Sequence, residues 1–198
     1  DSWYDREQKK ARLWIARSHY VLGEYEQAYK ALIRDDRSAW RKLSDGYDQA
    51  FMPLIEVIDR IPLGLVSVTA VSSLYKFEID IMLYRSAMKS GHLDEARTGF
   101  DELLADERLV NFKSLQFRVL HERSQLALLD GDEALAETLM SDAVALLETQ
   151  RAQLKKDSYK LGFVGDKLEI YNDMIGLLYG QSRYAEAFEY AERAKSRA

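Results

Sequence analysis

The residues able to do chemistry in this sequence are few and badly placed for it. His19, His92 and His121 stand far apart, and none forms a metal-site pattern such as HExxH with a ligand three or four residues on. The chain has no cysteine, so it offers no thiolate nucleophile, no disulfide framework and no cysteine-ligated zinc. Gly162-Phe163-Val164-Gly165-Asp166-Lys167 has the glycines of a phosphate loop, yet it lacks GxxxxGK[ST] and follows no strand. It reads as a helix break in which Asp166 caps the next helix. The acidic pairs Asp94-Glu95 and Asp132-Glu133 fall where helices begin, and there the helix dipole accounts for them. No catalytic residue, metal ligand or cofactor is expected, and the chain is read as a non-enzyme.

The elements that carry these residues follow from composition. In 198 residues, 47% are hydrophobic and 31% charged, enough for a real core, and only 2 prolines and 10 glycines interrupt the chain. That scarcity of breakers points to helices. With 28 basic and 33 acidic residues the net charge is -5, which predicts neither a nucleic-acid nor an anionic-membrane partner. The longest apolar stretch, Ile61 to Val71, contains Pro62, Gly64, Ser67 and Thr69 and falls far short of the roughly 20 residues that span a bilayer. No transmembrane helix and a cytoplasmic location are expected. The chain begins at Asp1 without methionine and stops at Ala198 inside a strong helix former, so it is read as a piece of a longer protein.

One short pattern occurs four times: Gly23-Glu24-Tyr25-Glu26-Gln27-Ala28, Gly91-His92-Leu93-Asp94-Glu95-Ala96, Gly131-Asp132-Glu133-Ala134-Leu135-Ala136 and Ser182-Arg183-Tyr184-Ala185-Glu186-Ala187. A left-handed glycine can end one helix, acidic residues suit the first turn of the next, and a small alanine lets the two helices approach. Each copy therefore predicts a helical hairpin. Helices are expected near 5–22, 25–34, 37–60 with a break at Gly46 or Pro53, 68–90, 93–105, 111–130, 133–157, 165–181 and 184–198. The β-branched Val66, Val68, Thr69 and Val71 are read as helix, because Leu74, Phe77, Ile81 and Tyr84 continue at helical spacing.

These hairpins resemble the tetratricopeptide repeat, a unit of about 34 residues stacked into a right-handed solenoid. Ala16 and Ser124 supply the small residue twelve positions before the packing alanine, where the other copies have Tyr84 and Ile175. The resemblance implies an all-α fold of tetratricopeptide-like hairpins over residues 1–198: 5–34, a degenerate pair at 37–66, 68–105, 111–157 and 165–198. Insertions are expected at Leu109 to Lys113 and across Thr149 to Phe163. Trp14, Tyr75, Phe77, Phe117 and Tyr171 are expected to fill gaps between helices.

Near the C-terminus, Phe163, Asp166-Lys167 and Tyr171 lead into Arg183-Tyr184 and Glu192-Arg193-Ala194-Lys195-Ser196-Arg197-Ala198. This stretch of about 50 residues is similar to the last repeat before the caspase-like peptidase of CHAT-domain proteins, with Ser182 in place of that family's turn glycine. The similarity implies a bacterial regulatory domain with a peptidase fused behind it, whose catalytic His and Cys lie downstream. In the last helix, Phe188, Tyr190 and Ala194 are expected to be partly uncovered unless a downstream element packs on them.

In tetratricopeptide solenoids the first helix of each hairpin lines a concave groove. Carried over by position, the resemblance places Lys10, Arg17, Tyr20, Arg85, Lys89, Arg118, His121, Gln125, Asn172 and Tyr179 on that face, with Leu13, Val21, Glu78, Ile81, Met88, Leu128, Leu129, Glu169, Gly176 and Gly180 among them. Five of these twenty positions are Lys or Arg. The partner implied is a protein or peptide, acidic or bearing a free C-terminal carboxylate. Two functions fit: an adaptor or sensor controlling the fused peptidase, or the ligand- or signalling-peptide-sensing repeat of a bacterial transcription regulator.

Overall fold

Gly23, Gly91 and Gly131 adopt φ angles of +77°, +91° and +76°, and Ser182 joins them at +61°. All four occupy the left-handed region that ends a helix. The hydrogen bonds around them repeat residue for residue. Gly23 N–H donates to the Tyr20 carbonyl and Glu24 N–H to the His19 carbonyl, at 3.1 and 2.9 Å. His92 to Ala87, Asp132 to Ala127 and Arg183 to Leu178 repeat the second bond, each at 2.9 Å. The four signature alanines, Ala28, Ala96, Ala136 and Ala187, are all buried.

The structure, a computed structural model, describes residues 3–33, 68–153 and 168–195. Its α-helices are α1 (Trp3–Val21), α2 (Tyr25–Ile33), α3 (Val68–Ser90), α4 (Leu93–Ala105), α5 (Lys113–Leu129), α6 (Glu133–Gln153), α7 (Glu169–Gly180) and α8 (Tyr184–Lys195). Among the described residues there is no strand, and Val68 opens α3. The fold is all-α. The expected helix at 37–60, the degenerate pair at 37–66 and most of the stretch from Thr149 to Phe163 lie outside the described residues. The insertion expected at Leu109 to Lys113 is a 3-10 helix, Glu107–Asn111, capped by the Asp106 carboxylate, which accepts from Arg108 N–H at 3.0 Å. Residues 111 and 112 therefore precede α5 and do not begin it.

The chain divides into two units, residues 1–96 and 97–198, with the boundary inside α4. In the first, α1 and α2 form a hairpin, and α3 lies against both. Its core gathers Leu13, Ala16, Ala28 and Met82, with Tyr20, Leu32 and Ile79 packed on it. Side-chain contacts between α1 and α3 advance in the same direction along both helices, Lys10 with Tyr75, Arg17 with Glu78 and Tyr20 with Arg85. The two helices therefore run parallel.

In the second unit α5 and α6 form one hairpin, α7 and α8 another, and α6 packs on α7. Buried Phe117, Met140, Leu147, Tyr171, Met174 and Leu178 belong to its core. Burying each such side chain contributes about 1.5–3 kcal/mol. Glu137 pairs with Arg183 near the start of α8, and Glu148 with Arg193 near its end. The second helices, α6 and α8, are thereby parallel too. In the second unit the two hairpins therefore lie side by side in the same sense, and in the first unit α3 follows α1 in parallel.

Candidate partner-binding face

In two copies a small residue twelve before the alanine lets first and second helices meet closely. Ala16 and Ser124 are completely buried there. Polar residues one turn away are pushed to the seam between neighbouring first helices.

In the first unit this seam is a ladder of cations and aromatic rings. Lys10 Nζ lies 5.3 Å from the Tyr75 ring centroid and 2.8 Å from Glu7 Oε1. Arg17 donates to Glu78 Oε2 at 3.1 Å, and its guanidinium stands 5.4 Å from the Trp14 ring. The Arg85 guanidinium covers the Tyr20 ring at 4.8 Å, and Tyr20 meets Tyr25 edge-on at 5.0 Å. Lys89, exposed, lines an open groove of about 560 Å³ with the 23–27 turn and Ser90. Rings hold these cations in place without neutralising them, at about 0.5–1 kcal/mol per exposed contact.

Beside the groove, a second polar set ties α2 to the start of α4. His92 stacks on Tyr29 with centroids 4.4 Å apart and contacts Glu26 Oε2 at 3.1 Å. Lys30 bonds Glu26 within α2 at 3.0 Å. That hydrogen bond, with a smaller one from His92, holds the Glu26 carboxyl below the usual range. Tyr29 donates its hydroxyl to Glu95, and the carboxylate pushes the phenol up to about 12.

In the second unit His121 and Gln125 converge on one acceptor. His121 Nε2 lies 2.7 Å from Asp173 Oδ2, and Gln125 Nε2 donates to the same oxygen at 2.8 Å. Phe117 flanks the imidazole, centroids 6.2 Å apart. Asp173 joins α7 to α5. Asn172 beside it is exposed, Arg118 is half-buried, and Tyr179 is exposed, edge-on to Tyr184 at 5.2 Å.

Against family models, curated proteins and solved structures the chain finds no match. Among the described residues no group of three or more His, Asp or Glu side chains is arranged to hold a metal ion. Nor is any of their helices long and apolar enough to cross a membrane.

The structure thus brings Lys10, Arg17, Tyr20 and Arg85 into one ladder, with Lys89 on the adjoining groove, and separately joins His121 to Gln125. Three apolar positions carried over with them, Leu13, Ile81 and Met88, are buried and offer no surface. The sequence reading missed Asp173, and it missed Trp14 and Tyr75 as partners of cations. Phe77, Phe117 and Tyr171 are buried as expected, but Trp14 is 59% exposed and Tyr75 also faces solvent. The signal for Asp173 is its register: at fourteen before Ala187 it faces the residues eleven and fifteen before Ala136 on the preceding first helix.

Proposed function

We propose that this protein is a non-catalytic tetratricopeptide-like module whose first helices form the concave face of a right-handed solenoid and bind an acidic peptide. The observation that carries the reading is the ladder on parallel α1 and α3, where Lys10, Arg17 and Arg85 are each held against a ring. Pinned cations present charge to a ligand with little further loss of side-chain freedom. Arg17 and Lys10 already pair with carboxylates, so an acidic peptide competes with Glu78 and Glu7 at a screened surface. Moderate, salt-sensitive affinity follows.

On the similarity carried by Phe163 to Ala198, the module controls a caspase-like peptidase fused behind it, in the cytoplasm of a bacterium. The sequence following Ala198 in the parent gene tests that half: a domain with a His–Cys pair supports it, and a helix-turn-helix DNA-binding domain overturns it in favour of the transcription-regulator reading.

Titration calorimetry with acidic peptides tests the binding half. A free C-terminal carboxylate should bind more tightly than its amide, and Arg85→Glu with Lys89→Glu should weaken binding about tenfold or more while the far-ultraviolet dichroism stays unchanged. Affinity equal to that of the unaltered protein removes the ladder as the site.

A further inference from the structure

Both carboxylates that line the open groove of the first unit are met by an imidazole. The groove lies between the 23–27 turn and the end of α3, with Glu24, Glu26 and Lys89 in its lining. His19 Nδ1 is 2.6 Å from Glu24 Oε2, and His92 Nε2 is 3.1 Å from Glu26 Oε2. The two rings come from different parts of the chain, His19 from the last turn of α1 and His92 from the turn between α3 and α4. Two of the protein's three histidines thus bear on one groove.

Imidazole is the side chain whose charge changes between about pH 5 and 8. A neutral ring still has one N–H to donate to a carboxylate, so each contact can outlast the change while its charge alters. Lys30 bonds Glu26 from within α2, and with His92 it keeps the Glu26 carboxyl below the usual range, hence ionised throughout that span. Tyr29, stacked on His92, donates its hydroxyl to Glu95; that bond pushes the phenol up to about 12, so it stays neutral. With neutral rings, Lys30 and Lys89 balance Glu24 and Glu26. With both rings protonated, the same set carries two positive charges in excess.

We propose that this groove is an anion site gated by protons, in which their uptake by His19 and His92 offsets Glu24 and Glu26 and lets Lys89 hold an acidic peptide more tightly. The proposal rests on the acidic-peptide reading and adds to it a dependence on pH with a fixed sign: affinity rises as the solution becomes mildly acidic. Two added charges at a solvent-exposed, screened surface predict a gain of roughly three- to tenfold.

Titration calorimetry at low salt with a tetraglutamate peptide bearing a free C-terminus, at about pH 8 and at about pH 6, tests it. The peptide's carboxylates are ionised at both values, so the gain at the lower pH belongs to the protein. His19→Gln combined with His92→Gln keeps a donor for each carboxylate but cannot take up charge. Its helical dichroism and its affinity at the higher pH should match those of the unaltered chain, while the gain disappears. Glu24→Gln combined with Glu26→Gln should bind at the higher pH about as tightly as the unaltered chain does at the lower. Absence of binding at both values overturns the acidic-peptide reading and this site with it. Equal binding at the two values, a gain that persists in the histidine variant, or a glutamate variant that binds no tighter at the higher pH overturns the proton-gated groove alone.

Discussion

Ser182→Gly tests whether the left-handed turn shapes the hairpins. Ser182 sits at φ +61°, a conformation that costs an L-residue about 1–2 kcal/mol relative to the right-handed region. Its side chain repays little: the hydroxyl oxygen accepts from Tyr184 at 3.4 Å, exposed to water. Glycine removes the strain but gives the unfolded chain more freedom, a loss of about 0.5–1 kcal/mol. The net gain is about 0.5–1 kcal/mol, which for a protein of this size raises the melting midpoint by about 1–4 °C. The reciprocal change, Gly131→Ser, starts from φ +76° with nothing within 4 Å of where the new Cβ would stand. Its cost is conformational rather than steric and should be of the same size with opposite sign. Paired thermal melts followed by circular dichroism measure both. If Ser182→Gly does not stabilise and Gly131→Ser does not destabilise, the positive φ is not what these turns demand.

Replacing Ala136, completely buried in the core of the second unit, with Leu should overpack the α5–α6 hairpin and cost about 1–3 kcal/mol; an unchanged urea midpoint would show that the helices are not in close contact there. The Tyr29–Glu95 bond predicts an alkaline limb of the stability profile. The folded phenol titrates near 12 against 10 for the ordinary value, so between these the unfolded state sheds its proton first and stability falls as pH rises. Below pH 10 this contribution is fully present. Melts from pH 9 to 12 should therefore decline less steeply in Tyr29→Phe than in the unaltered protein, and equal slopes would refute the assignment.

What could be read from the sequence was whatever a single hairpin decides for itself. Gly91 followed five residues later by Ala96 specifies a turn and a close helix contact without reference to any other part of the chain, and Ser182 was legible as a substitute because Tyr184 and Ala187 keep its register. Among the described residues, helix ends fell within a few residues of expectation for the same reason. Neighbours were not legible. Trp14 lies on a first helix, and its ring was expected to fill a gap; instead it is mostly exposed beside Arg17. Leu13, Ile81 and Met88 have the register of groove residues, yet they are buried, whereas Val21 and Leu129, assigned to the same face, are exposed. The seam between first helices turns Arg17 toward Glu78, and His121 and Gln125 toward Asp173, pairings separated by 61, 52 and 48 residues. No local pattern signals which carboxylate a cation will meet at such a distance. The cations of these first helices could be counted in the sequence, while the groups that each one meets depend on how tightly neighbouring hairpins close. In the first unit that closure runs through rings as much as through carboxylates, so the cations there stay fixed in place and only partly neutralised.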